Sequence, residues 1–263
     1  DNNQLRAAER ADDKPLLIDV GCGTGANLAA FAKSFRCLGV DTSPEAINLA
    51  KQRYPELEFM HGYAPDDLID QIRGASVVTL NDVLEHVRDD FLLFSRIFAE
   101  LSPGAMCVIT VPADPALWSG HDVSFGHYRR YVRERLEMIW QDLPVKAHLV
   151  SHFNARLYPI IRTVRTLNNW RGGASGVAGT DFKIPPAPLN HLLESCFHGE
   201  SQRLLGALRG QRPGYSRGAS LIAILERLPG KVQARAKPLA AGRDLADPEL
   251  KPTLRIAELS DAA

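Results

Sequence analysis

No apolar run in this chain approaches the roughly 20 residues that a membrane-spanning helix needs. An excess of one charge is missing too. The 31 basic residues are matched by 31 acidic ones, so no global field draws the chain to nucleic acid. Cysteine is sparse: Cys22, Cys37, Cys107 and Cys196 form no CxxC and no metal-ligand spacing. Three of them sit in or beside predicted strands and read as small buried hydrophobes, which points to a reducing, cytoplasmic setting. No signal-peptide pattern and no internal repeat is visible. The chain begins at Asp1 rather than Met, so upstream residues are expected to be missing. Its length suits one domain with decorations and a substantial core.

What is present is organised around one stretch. The apolar run at residues 16–20 reads as a buried parallel strand and carries Asp19. It opens into Gly21-Cys22-Gly23-Thr24-Gly25, and an apolar-periodic helix follows. Glycines in a strand-to-helix turn let backbone pass close to a ligand, and the helix start offers free N–H groups. Gly21-x-Gly23-x-x-Ala26 fits a loose dinucleotide fingerprint. Asp19, two places before the first glycine, argues for another ligand. Its carboxylate would repel a diphosphate and would hold an ammonium group. S-adenosylmethionine carries an ammonium and a sulfonium and no phosphate. At this point the chain resembles class I S-adenosylmethionine-dependent methyltransferases, whose first motif looks like residues 17–25.

Alternation of strands and helices continues. A second strand at residues 36–40 ends in Asp41, about twenty residues past Gly21, the spacing of a carboxylate that takes both ribose hydroxyls. Thr42 follows it, and Ser43-Pro44-Glu45 opens a helix as cap, first residue and first-turn acid. A third strand at 57–61 precedes Gly62-Tyr63-Ala64. The resembled family often has Asp where Tyr63 stands, so the adenine amino contact departs from the pattern. A fourth strand at 75–80 runs into Asn81-Asp82-Val83-Leu84-Glu85-His86-Val87, similar to the "VLEHV" segment of many class I methyltransferases. The resemblance implies that Asn81 and Asp82 face the methionine part of the cofactor. It places Glu85 and His86 on the first turns of the next helix. The cofactor set is thus Asp19, Gly21, Cys22, Gly23, Gly25, Asp41, Thr42, Tyr63, Ala64, Asn81 and Asp82.

Beyond a fifth strand at 106–111, residues 117–131 pack two His, an Asp, two Tyr and a Trp into a predicted loop over the carboxyl ends of the strands. It resembles the "HD…GHYRRY" segment of a bacterial methyltransferase subgroup. His121 and His127, with His86 behind them, are the candidate catalytic groups, because a hydroxyl acceptor needs a base to take its proton. Trp118, Asp122, Tyr128, Arg129 and Tyr131 are the candidate substrate contacts. His121, Asp122 and His127 raise a metal, but no fourth ligand stands out, so none is expected.

Residues 130–143 read as an amphipathic helix, 145–153 as a sixth strand, 156–170 as a basic helix, 189–208 as a helix and 219–225 as a last strand. The expected fold is α/β: a doubly wound, mostly parallel seven-stranded sheet with its last strand antiparallel. One methyltransferase domain should cover residues 1–229, with a helical cap inserted at about 155–216. Residues 172–188 read as a mobile loop. Residues 230–263 read as a tail, partly disordered or packed on a neighbour. The expected activity is methyl transfer from S-adenosylmethionine, leaving S-adenosylhomocysteine, to a small or lipid-linked organic acceptor, with O-methylation favoured. A peripheral membrane contact stays open, as does the oligomeric state. The rivals are a non-catalytic adenosylmethionine-binding scaffold, an NAD-dependent oxidoreductase and a nucleic-acid methylase. The last is disfavoured by the balanced charge and by the lack of Pro-Pro-Tyr/Phe after the fourth strand.

Overall fold

A computed structural model describes residues 14–170, 187–242 and 244. Seven strands, β1 (Leu16–Val20), β2 (Arg36–Asp41), β3 (Glu58–His61), β4 (Val77–Asn81), β5 (Met106–Pro112), β6 (Val145–Phe153) and β7 (Ser220–Arg227), form one sheet in the order 3-2-1-4-5-7-6. Strands β1 to β5 are parallel, and β7 inserts antiparallel between β5 and β6. The chain reverses at β1, whose neighbours are β2 and β4, so the carboxyl ends of these three strands border a crevice.

The sheet is buried on both faces. Leu17 and Cys37 pack with Leu28 of α1 (Ala26–Phe31) and with Ile47 and Ala50 of α2 (Pro44–Arg53). Ile18, Val20, Leu38 and Val40 point the other way, towards Ile72 of α3 (Ile69–Gly74) and Phe91, Phe94 and Phe98 of α4 (Asp90–Glu100). This is why the strands read as continuous apolar runs rather than alternating ones. Ser43 caps α2 by accepting from the Ala46 N–H at 3.1 Å, with Pro44 in the first turn.

Gly25 sits at φ 82° at the head of α1, and a Cβ there would lie 2.6 Å from Phe59 Cζ. Phe59 is packed beneath it and cannot yield. Gly25→Ala is therefore expected to lower stability by about 2–4 kcal/mol, from a left-handed backbone and overpacking together. Urea unfolding checks this.

Two expected helices take other forms. Residues 130–143 give only α6 (Arg133–Glu137), numbered after α5 (Gly120–Ser124), followed by turns. The preceding residues are held extended, because Tyr131 N–H donates to Pro112 O and its own carbonyl accepts from Asp114 N–H. Glu85 and His86 lie in a 3-10 turn, Leu84–His86, and α4 begins only at Asp90, capped by Asp89. The cause is external: the Arg129 guanidinium takes the Leu84 and Val87 carbonyls at 2.9 and 2.7 Å.

Between β6 and β7 stand α7 (Tyr158–Trp170) and α8 (Ala187–Leu208). Most of the loop expected at 172–188 lies outside the described residues, as do residues 1–13 and 245–263. The segment after β7 packs back on this chain. Arg235 pairs with Asp142 at 2.6 Å, the Lys237 N–H donates to Asp89, and Asp244 pairs with Arg129. No helix among the described residues is long and apolar enough to cross a membrane.

Candidate active site

The glycine turn folds over the end of β1. Gly21, Gly23 and Gly25 have φ of 71°, 52° and 82°, left-handed values that favour glycine. A Cβ on Gly21 would lie 2.6 Å from Val83 Cγ2, so this turn touches the segment after β4 directly. Asp19 beneath it is buried. Its Oδ1 accepts from Thr79 Oγ1 at 2.5 Å and Asn81 Nδ2 at 3.1 Å, and its Oδ2 is buried with no hydrogen-bond partner. Burial pushes the Asp19 carboxyl up. The Thr79 and Asn81 hydrogen bonds oppose that shift, and the nearby Asp41 charge adds to it. The Cys22 thiol is pushed up to about 12 by burial and by the Asp41 and Asp19 charges, so it is no nucleophile.

Asp41 is half-buried at the end of β2. It accepts from Gly23 N–H and Ser43 N–H, each at 2.8 Å, and so shapes both the glycine turn and the head of α2. Thr42 turns its carbonyl to His61 Nε2 at 3.1 Å. Tyr63 is exposed, and its N–H is held by Asp67 Oδ2 at 2.7 Å. Ala64 follows it, half-buried. These groups, with Asn81 and Asp82, line the crevice edge from β2 and β3 across to β4. The orphaned Asp19 oxygen and the three left-handed glycines of the turn fit a ligand with an ammonium group that lies close to backbone.

Beside this crevice, past the ends of β4 and β5, lies a cavity of ≈ 360 Å³. Asp82, Glu85, His86, His121, His127, Arg130 and Arg165 are among its lining residues. Asp82 starts this wall at φ 53°, an unusual left-handed value for a side-chain-bearing residue. The floor is an organised polar cluster. Asp122 is fully buried, and its Oδ1 accepts from Arg130 Nε at 2.8 Å and meets His127 Nδ1 at 3.0 Å. Its Oδ2 accepts from Ser119 N–H at 2.9 Å and Ser119 Oγ at 3.1 Å. Burial alone would raise the Asp122 carboxyl. The His127 hydrogen bond and the Arg130 guanidinium outweigh it and hold the group below the usual carboxylate range. His86 meets the His127 ring edge-on, with centroids 4.6 Å apart. Burial, reinforced by the Asp82 charge, pushes the Glu85 carboxyl well up.

The structure thus brings His86, His121 and His127 to one cavity and leaves the expected substrate contacts outside its lining. Asp122 stands behind His127 rather than facing the cavity. Arg129 is 3% exposed, and its nitrogens are bound by Asp244 and by the carbonyls of Leu84, Val87 and Arg88. Tyr131 is fully buried and donates to Asp90 Oδ2 at 2.8 Å. Both belong to the scaffold under the 84–88 turn. Tyr128 holds the Glu85 carbonyl through its N–H at 2.7 Å, and Trp118 closes the turn after Leu117. Sequence reasoning missed Arg130, Arg165 and Thr79. Arg165 had a signal, the basic character of its helix. Thr79 had none, because a threonine in a buried strand reads as β propensity.

Comparison with known proteins decides the family. The profile described as "Methyltransferase domain" matches residues 2–157. The chain belongs to this methyltransferase-domain family. Its seven-stranded sheet, with β7 antiparallel between β5 and β6, is the one expected above for a class I methyltransferase. Trans-aconitate 2-methyltransferase of Methylobacterium radiotolerans is 33% identical over 100 residues, 37% of this chain and 38% of that protein. Demethylmenaquinone methyltransferase of Chlorobaculum tepidum is 31% identical over 114 residues, 43% of this chain and 47% of that one. The matches therefore span less than half the length of these relatives. A methyltransferase structure from Archaeoglobus fulgidus is similar at TM-score 0.48 and 14% identity, covering 86% of this chain and 92% of that one.

Proposed function

We propose that this methyltransferase moves the methyl group of S-adenosylmethionine to an oxygen of a small organic acceptor seated in the cavity past β4 and β5. The observation that carries the reading is the pairing of two adjoining features. One is a buried carboxylate, Asp19, with an unmatched oxygen under a glycine turn. The other is a cavity lined by Glu85, His86 and an Asp122-oriented His127. Relatives named for trans-aconitate and demethylmenaquinone support a small organic acceptor.

On this reading Asp19 and Asn81 serve the α-ammonium end of the cofactor. Gly21, Cys22, Gly23 and Gly25 give close-lying backbone. Asp41 keeps lone pairs for the ribose hydroxyls beyond its two amide bonds, since a carboxylate has about four acceptor sites. Thr42, Tyr63 and Ala64 flank the adenine, and Asp82 stands between cofactor and acceptor. The cofactor supplies an activated methyl group. The chain's own residues orient the acceptor for in-line approach and keep water out. The cluster of Glu85, His86 and His127 assists loss of the acceptor's hydroxyl proton, and His121 stands at the cavity wall. A lipid-linked acceptor is supported by Ile160 and Val164, which are exposed on α7 next to the cavity-lining Ile161.

Calorimetric titration tests the cofactor half. S-adenosylhomocysteine should bind and NADH should not. Asp41→Ala should weaken the former at least about tenfold, the value of one charge-assisted hydrogen bond. Binding of NADH alone, or of neither, sinks the proposal. Bound S-adenosylhomocysteine then justifies an acceptor screen with labelled methyl donor, in which no transfer to any acceptor would leave the scaffold reading instead.

A further inference from the structure

We infer that Glu85, His86 and His127 form a binding site for a divalent transition-metal ion that holds the acceptor's oxygen beside the methyl donor. This rests on the cavity being the acceptor site, as argued above. Each of the three residues offers one ligand atom, and these atoms all lie within 4.8 Å of one another. Such a spread is what a single ion with bonds near 2.0–2.2 Å can gather with small side-chain movements.

One feature of the cluster points to a ligand, and two more prepare the site for it. Glu85 is 1% exposed, and its Oε2 is buried with no hydrogen-bond partner. An unmatched buried carboxylate oxygen is costly, and a cation satisfies it. His127 meets Asp122 through Nδ1 at 3.0 Å, which directs the other ring nitrogen away from that carboxylate. A carboxylate behind the ring is the usual support of a metal-bound histidine: it fixes the tautomer and raises the basicity of the ligating nitrogen. Asp122 is in turn fixed by Arg130 and Ser119, so the support is rigid. Finally, the turn that carries Glu85 and His86 is pinned from below by Arg129 through the carbonyls of Leu84, Val87 and Arg88. Sites built on a fixed backbone pay little to organise around an ion.

The donor set selects the kind of ion. Two imidazoles and one carboxylate suit Zn²⁺ with an open position, or Fe²⁺, Co²⁺ and Mn²⁺ with several. Mg²⁺ and Ca²⁺ prefer an all-oxygen shell and are disfavoured. The open positions face the cavity, where an acceptor hydroxyl would bind. A hydroxyl on a dication ionises more readily. Its proton passes to His121 on the cavity wall, and the oxygen attacks the methyl carbon. The sulfur–carbon bond breaks as the oxygen–carbon bond forms, with its electron pair left on sulfur, and the ion keeps its oxidation state throughout.

The test uses the purified full chain, stripped with a chelator and titrated separately with Zn²⁺, Co²⁺, Mn²⁺ and Mg²⁺. S-adenosylhomocysteine affinity is measured on the same samples. We expect one Zn²⁺ or Co²⁺ per chain, visible absorption bands from the Co²⁺ form, and much weaker Mg²⁺ binding. Glu85→Gln should weaken Zn²⁺ at least about tenfold while leaving S-adenosylhomocysteine affinity and circular dichroism unchanged. If Glu85→Gln does not fold, the Co²⁺ bands of the unsubstituted chain and their loss in His86→Asn decide the matter. Stoichiometric binding that survives Glu85→Gln, or no stoichiometric binding with S-adenosylhomocysteine still bound, overturns the metal site and leaves the methyltransferase reading standing. Metal binding without S-adenosylhomocysteine binding overturns the cofactor reading instead.

Discussion

Asp19→Asn is expected to lose S-adenosylhomocysteine affinity by about two orders of magnitude while the apo protein becomes no less stable. The affinity term comes from charge. A buried carboxylate facing an ammonium group is worth about 2–3 kcal/mol as a charge-assisted hydrogen bond, and 1.4 kcal/mol is a factor of ten. The stability term has the opposite sign. Burial, the larger cause, raises the Asp19 carboxyl above its ordinary value, so the folded apo protein binds more protons there than the unfolded chain. Apo stability therefore falls as pH rises from the ordinary carboxylate value through the raised one. Asn in this place removes that loss and keeps an oxygen for the Thr79 hydroxyl. Affinity runs the other way in the native protein: it falls as pH is lowered through the raised value, because the carboxylate becomes neutral. The variant should be weak and flat across the same range. Calorimetry and thermal melts over acid to neutral pH check both signs together. A variant that binds like the native chain would falsify the ammonium role.

The largest loss of stability is expected from Asp90→Ala. Asp90 is fully buried at the start of α4. It accepts from Tyr131 Oη at 2.8 Å and from Arg135 Nη2 at 2.8 and 2.9 Å, with Arg129 at 3.6 Å. Removing it leaves one buried hydroxyl and two largely buried guanidinium groups around a missing charge. Breaking such a network by taking out one partner costs about 3–5 kcal/mol. In a domain of this size that lowers the melting temperature by about 10 °C. The effect should pass to the site as well, because Arg129 holds the turn that carries Glu85 and His86. Melting followed by circular dichroism is the check, and a shift under about 3 °C would show that the network contributes little.

Much of the proposed cofactor side was legible in the chain. Parallel strands buried on both faces leave apolar runs, and the glycine turn, Asp41 and the Ser43-Pro44 helix start each sit at a fixed distance from them. All of these are local signals, so they survive without knowledge of the fold. The proposed acceptor side was legible only as a list of polar residues. The sequence supplied His86, His121, His127, Asp122, Arg129 and Tyr131 within a short span, and it could not say which of them face the same space. That was decided by irregular backbone. Asp82 turns left-handed, Arg129 takes the carbonyls that a helix would have used, and Tyr131 is held extended against β5. These constraints come from residues far apart in the chain. They send Arg129 and Tyr131 into the scaffold, put Asp122 behind His127, and bring the unmatched Glu85 carboxylate to the two histidines. Periodicity reports which face of a regular element is buried. Where the element is not regular, only the tertiary contacts fix the direction of a side chain, and in this protein they fix the lining of the proposed acceptor cavity.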